Sequence, residues 1–168
     1  MANHPFLSRL KNVKAIVMDV DGVLTDNSLL VQNDGSELRI MNARDGYAIQ
    51  LAAKKGLELC VITGGNSEGV NMRLHKLGVQ SIFPAAENKS QTYLFWLNQK
   101  QIHSEDVMYI GDDMVDLEAM NLAGVRCCPA DATSEIISIS DYVSPFNGGK
   151  GCVRDVIEKV LKLQGKWE

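Results

Sequence analysis

Four short apolar runs, "VKAIVM" (13–18), "LELCVI" (57–62), "VMYI" (107–110) and "GVRCC" (124–128), alternate with helical patterns at about 45–55, 67–77, 89–101 and 113–123. Alternating β and α segments bury their apolar surface as a parallel sheet covered by helices. The runs are apolar on both faces instead of at every second position, as strands covered from both sides require. Shorter "SIF" (81–83) and "YV" (142–143) supply edge strands, and a last helix is expected over about 151–163. The expected fold class is α/β, a Rossmann-like parallel sheet with helices on both faces.

One segment departs from this alternation. "SLLVQNDGSELRIM" (28–41) places two short strands about "NDG", whose residues tolerate the positive φ of a hairpin turn. This hairpin and one helix are all that separate the first strand from the second. One helix and a short strand separate Thr63 from Lys89. The spacing leaves no room for a cap domain, so one domain over 1–168 with a hairpin flap at about 28–41 is expected.

A chain of 168 residues with 45% hydrophobic content buries a proper core without staples, since splitting into domains sets in only beyond roughly 200–300 residues. Cys60, Cys127, Cys128 and Cys152 form no C-x-x-C pair and are read as small core residues. A formal charge of -4 argues against nucleic-acid partners, whose backbone demands clustered Lys and Arg. No run approaches the ~20 apolar residues of a membrane span. "MANHPFLSRL" lacks the apolar stretch and cleavage site of a secretory signal. A cytoplasmic location without membrane association is therefore expected.

In open α/β sheets ligands bind beyond the carboxyl ends of the strands, so the residues following each run carry the chemistry. The first run ends in Asp19-Val20-Asp21-Gly22, the second in Thr63-Gly64-Gly65 and the third in Gly111-Asp112-Asp113, while Lys89 opens the helix after "SIF". Four carboxylates, a hydroxyl and an ammonium are expected along one edge. Such carboxylates resist joint ionisation unless they share protons or surround a hard divalent cation, and oxygen donors of this kind suit Mg²⁺. An EF-hand is excluded, because "DVDGVLTDNSLL" has Leu30 where the loop needs a bidentate Glu.

This set of groups serves phosphoryl transfer to a side chain. Lys89 and the cation neutralise phosphate oxygens that Thr63 also holds, so that Asp19 can attack phosphorus. Asp21, bent over by Gly22, protonates the leaving alkoxide and later activates water.

"DVDGVLTD", "VITGG", Lys89 and "GDDMVD" resemble, in order and spacing, the four motifs of the haloacid dehalogenase superfamily of phosphohydrolases. The resemblance implies Asp19 as nucleophile, Asp21 as general acid/base, and Thr63 and Lys89 as phosphate ligands. It implies Asp112 as metal ligand together with the Asp19 side chain and Asp21 main chain, with Asp113 and Asp116 as supporting acids. Taken alone, Asp116 reads equally well as a solvated helix residue. "NARDGYAI" (42–49), "PADA" and "GGKGCVRDVIEKVLKLQGK" (148–166) further resemble the cap-less 3-deoxy-D-manno-octulosonate 8-phosphate phosphatases. This implies a phosphorylated keto-sugar acid as substrate on the path to lipopolysaccharide, with Asn42, Arg44, Asp45, Gly46, Arg73, Lys89 and Lys150 as substrate-binding candidates beside Asp21. It also implies a homotetramer built around the hairpins. Family members carry Arg at the positions of Gln50, Gly65 and Lys150. Nonulosonate 9-phosphates are the alternative substrates.

A phospho-acceptor receiver domain gathers similar groups, but places its acidic pair after the first strand and its Lys near the end, the reverse of the order here. A non-catalytic regulatory domain is the other alternative, and steady phosphate release distinguishes it. His4, His75 and His103 have no partner at a suggestive spacing, and Phe95 and Trp96 read as core.

Overall fold

The computed structural model of the chain describes residues 5–167; His4 lies outside them. A six-stranded parallel sheet has the order β5-β4-β1-β6-β7-β8. Its strands are β1 (Ala15–Met18), β4 (Glu58–Ile62), β5 (Ser81–Phe83), β6 (Val107–Ile110), β7 (Val125–Cys128) and β8 (Tyr142–Val143). The intervening helices are α2 (Ala43–Lys54), α3 (Glu68–Lys76), α4 (Lys89–Lys100), α5 (Leu117–Leu122) and α6 (Ser134–Ile139), with α7 (Cys152–Leu163) closing the chain.

Strand alternation divides the core. Ile16 and Met18 of β1 face one side with Leu59, Val61, Met108 and Ile110, under α2, α3 and α7. Ala15 and Val17 face the other side with Cys60, Ile62 and Tyr109, under Tyr93 and Trp96 of α4 and Met120 of α5. Both halves of every central strand are thus covered, which is why the runs are continuously apolar. Helix α7 buries Cys152, Val153, Val156, Ile157, Val160 and Leu161, a stripe at helical period that seats it on the sheet beside α2. All four cysteines are free and buried.

Two helices escaped the sequence reading. α1 (Pro5–Asn12) buries Leu10 against the sheet and sends Arg9 to the Gly124 carbonyl at 2.9 Å and to Asp141 at 2.9 Å. α6 has six residues and buries Ile136 alone. Neither is long enough to show a helical period. Phe95 was expected in the core and is 59% exposed, while its neighbour Trp96 is fully buried. On a helix, adjacent residues point about 100° apart, so only one of them could face the sheet. Phe95 packs edge-on against Phe83.

The hairpin is shorter than its apolar pattern. β2 (Leu30–Val31) pairs with β3 (Glu37–Leu38) and nothing else among the described residues. Its turn has one positive φ, at Gly35 (+83°), with Asp34 accepting from the Ser36 amide at 2.9 Å. A single left-handed residue closing a three-residue loop explains why Asn33 and Asp34 keep ordinary backbone.

Candidate active site

The chain runs from β1 to one side of the sheet through β4 and β5, then crosses back to β6, β7 and β8 on the other side. The loops leaving β1 and its neighbours therefore diverge, and a cleft of about 570 Å³ opens at their carboxyl ends. Asp19, Asp21, Thr63, Gly65, Lys89 and Asp112 line it.

Asp19 follows β1 directly, its amide still in the sheet on the Ile110 carbonyl at 3.1 Å. Its side chain is held at both ends. Oδ1 accepts from the Val20 amide at 2.6 Å, and Oδ2 lies 2.7 Å from Lys89 Nζ. Lys89 stands at the first turn of α4, a helix capped by Asn88 accepting from the Gln91 amide at 2.9 Å. Its ammonium is buried and also reaches Asp116 at 2.9 Å. Asp116 is fully buried, accepting from Tyr109 Oη at 3.1 Å and from the Asp112 amide at 3.2 Å. The alternative of a solvated helix residue is thereby removed for Asp116. Thr63 follows β4 directly, buried, with Oγ1 accepting from the Gly65 amide at 3.1 Å.

Gly22 is the residue that lets β1 and β6 converge. Its φ of +87° turns the chain back, and a Cβ there would stand 1.9 Å from Asp112 Oδ2. No other residue type fits both the conformation and the space.

Asp19, Asp112 and Asp116 bring carboxylate oxygens within 4.8 Å of one another. Asp112 Oδ1 is buried without a hydrogen-bond partner, an orphaned acceptor in a set of hard oxygen donors. These residues fit a divalent cation. Burial and the neighbouring Asp19 and Asp116 push Asp112 up to about 8, and burial together with Asp116 raises Asp19 against the pull of Lys89. Burial draws Lys89 down, but Asp19 and Asp116 outweigh it and hold the ammonium above its ordinary value.

The sign of the consequence follows. The folded protein retains protons that the unfolded chain has released between the ordinary carboxylate value of 3.8 and about 8, so metal-free stability falls as pH rises through that window. A divalent cation displaces those protons. At a concentration a hundredfold above its Kd at pH 8 it should add about 2.7 kcal/mol, or about 5–10 °C of Tm for a chain this size, and the same concentration should add less at pH 5.5, where protons compete for the carboxylates. Scanning calorimetry with EDTA or Mg²⁺ measures this, and a shift independent of pH counts against a cation among these carboxylates.

Of the remaining candidates, Asp113 alone lines this cleft. Asp113 is exposed and caps the turn Met114–Asp116 by accepting from the Met114 amide at 2.7 Å. Asn42 caps α2, accepting from the Arg44 amide at 2.8 Å and donating to the Gly149 carbonyl at 3.2 Å. Asp45 is buried and accepts from the Arg154 amide at 2.7 Å, tying α2 to the start of α7. The backbone of Gly46 lies under Arg73, whose Nη2 would stand 2.7 Å from a Cβ there. Arg44 and Lys150 line a second recess with Phe146 and Arg154, and Lys150 pairs with Asp26 at 3.0 Å. His75 and His103 are exposed.

Two residues in the cleft carried no sequence signal of their role. Asn27 (φ +68°) donates Nδ2 to Asp112 Oδ2 at 3.2 Å. Arg39, from the hairpin, grips Asp21 with Nε and Nη2 at 2.8 and 3.0 Å. An asparagine after "TD" hints at a left-handed residue, but a contact spanning 18 residues to a flap has no local pattern.

A strand-end aspartate paired to a buried lysine, with a second acid two residues on and further acids across a parallel sheet, defines an aspartate-based hydrolase. The family model described as haloacid dehalogenase-like hydrolase matches residues 75–157. The 3-deoxy-D-manno-octulosonate 8-phosphate phosphatase KdsC of Escherichia coli (strain K12) is 36% identical over 160 residues, covering 95% of this chain and 85% of its own. The crystal structure of the phosphatase of that name from Yersinia pestis matches with a TM-score of 0.94 at 32% identity, over 98% of this chain and 89% of that one. The Moraxella catarrhalis enzyme, in complex with magnesium ion, phosphate ion and a KDO molecule, matches with a TM-score of 0.94 at 30% identity, over 98% and 95%. The chain belongs to the haloacid dehalogenase-like hydrolases and, within them, to the family of the 3-deoxy-D-manno-octulosonate 8-phosphate phosphatases.

Proposed function

We propose that the chain is a Mg²⁺-dependent phosphatase acting on a phosphorylated keto-sugar acid, foremost 3-deoxy-D-manno-octulosonate 8-phosphate, in the supply of lipopolysaccharide precursors. The observation that carries it is the Lys89 ammonium 2.7 Å from Asp19 in a cluster of three buried carboxylates. A divalent cation would be held by Asp19, Asp112 and the Asp21 main chain, with Asp116 and Asp113 in support, and would supply positive charge to the phosphoryl oxygens. Lys89 and Thr63 hold those oxygens from the protein side. Asp19 attacks phosphorus in line, and the P–O bond to the sugar breaks as Asp21 gives a proton to the leaving oxygen. Asp21 then takes a proton from the water that cleaves the aspartyl-phosphate.

A panel of phosphate esters assayed for phosphate release tests this reading. The expected order of kcat/KM is octulosonate 8-phosphate, then nonulosonate 9-phosphate, then hexose phosphates, with a gap of about 100-fold or more between first and last, the cost of leaving a buried charge unpaired. Equal efficiency on a hexose phosphate would overturn an acid-specific pocket.

The proposal extends to assembly: a single domain per chain, a cytoplasmic homotetramer, and hairpins 28–41 paired at its centre. Leu30, Val31, Leu38 and Ile40 are 50–82% exposed on a two-stranded sheet with unpaired edges, a surface that favours burial against another copy. Asn42, Arg44, Asp45, Gly46, Arg73 and Lys150 would then serve a neighbouring copy's substrate pocket or shape their own. Light scattering coupled to size exclusion should give four times the 18.5 kDa chain mass; a concentration-independent single-chain mass would sink it.

A further inference from the structure

Arg39 lies one residue beyond β3, on a hairpin whose neighbouring side chains face solvent, yet its own side chain is 5% exposed. The reason is its reach into the cleft. Nε and Nη2 take both oxygens of Asp21 at 2.8 and 3.0 Å, a planar fork on a planar carboxylate. Glu37 flanks it, with Oε2 at 3.2 Å from Nη2. Gly65 makes the approach possible. A Cβ there would stand 3.1 Å from Arg39 Nη2, 3.4 Å from Asp21 Oδ2 and 3.6 Å from Thr63 Oγ1. Arg39 thus occupies the ground that a side chain at position 65 would otherwise take.

The fork takes one lone pair on each oxygen of Asp21, so a leaving group has to compete with the guanidinium for that carboxylate. Asp21 is therefore freest to act when the fork has moved to another partner, and a second carboxylate is what a guanidinium fork accepts equally well. We infer that Arg39 is a specificity-determining residue that binds the carboxylate of the sugar-acid substrate, exchanging Asp21 for it and freeing Asp21 to act. The exchange makes release of Asp21 conditional on an acid substrate. Esters without a carboxylate leave the clamp closed. The role of Asp21 in this inference rests on the phosphatase reading; the anion contact of Arg39 does not.

The experiment compares wild type, Arg39→Ala and Arg39→Lys on octulosonate 8-phosphate and on p-nitrophenyl phosphate, which has no carboxylate. Arg39→Ala is expected to lower kcat/KM for the acid substrate about 10–100-fold, chiefly through KM, the worth of a charged hydrogen-bonded contact. The same variant is expected to raise kcat for p-nitrophenyl phosphate, because Asp21 is released. Arg39→Lys should fall between, since Lys replaces the fork by a point charge. Parallel losses on both esters would mean a purely structural role and overturn the inference, as would no change on either. Wild type inactive on both would refute the phosphatase reading instead. Calorimetric titration with unphosphorylated octulosonate then decides Arg39 by itself: binding at least tenfold weaker in Arg39→Ala supports the contact, and equal binding overturns it.

Discussion

Asp19→Asn should reduce phosphate release by about 10⁴-fold or more, the scale on which removal of a covalent nucleophile acts. The amide is nearly the same size and can still accept from the Val20 amide, so the turn after β1 is retained. It cannot carry the charge that faces Lys89 at 2.7 Å, nor form a stable ester with phosphorus. The variant should remain folded and, in EDTA at pH 8, should lose no Tm, because one of three crowded carboxylates has been neutralised. Mg²⁺ should stabilise it less than wild type. Phosphate release and calorimetry on protein shown free of wild-type contamination measure both effects; full activity would exclude the covalent route.

Lys89→Met should be nearly as damaging to catalysis and, unlike Asp19→Asn, damaging to the fold. The ammonium is 4% exposed and is the countercharge of both Asp19 and Asp116. Removing one partner of a buried ion pair costs about 3–5 kcal/mol where the remaining charge stays ionised. Protonation of Asp19, whose carboxyl burial and Asp116 already raise, reduces that cost at low pH, so the Tm deficit should grow from pH 5.5 to pH 8. The sign is the same as for the raised carboxyl of Asp112, whose destabilising ionisation also proceeds as pH rises towards about 8. Activity should fall about 10³-fold, in the range for loss of one charged transition-state contact. Mg²⁺ should restore much of the stability and little of the rate. A variant with a pH-independent Tm deficit would place the lysine's importance in packing instead of charge.

The parallel sheet was legible because its signal is local and repeated. β1 and β6 are fully apolar over four residues, as is β4 after Glu58, and burial on both faces is the only state that satisfies such a run; β7 departs from it by Arg126, which pairs with Asp141. Legibility extended to the strand ends by geometry: parallel strands deliver their carboxyl ends to one edge, so Asp19, Thr63 and Asp112 had to meet. Short elements were not legible. α1 and α6 exist because Leu10 and Ile136 find pockets made by residues far away in sequence. Phe95 read as core because hydropathy does not tell which side of α4 faces the sheet.

By itself the sequence determined the α/β class, the hairpin interruption and the set of acids, hydroxyl and ammonium at the sheet's edge. These follow from the period of apolar residues and from the direction of parallel strands, both properties of consecutive residues. Only the tertiary structure decided which acid neighbours which. Asp116 is buried on Lys89 while Asp113, three residues earlier, points to solvent. Asp21 is held by Arg39 across the open space at Gly65, and Asn27 turns onto Asp112. Such contacts depend on where a flap folds back and on the absence of a Cβ at one position, at separations of up to 85 residues, over which no periodicity in the chain carries information.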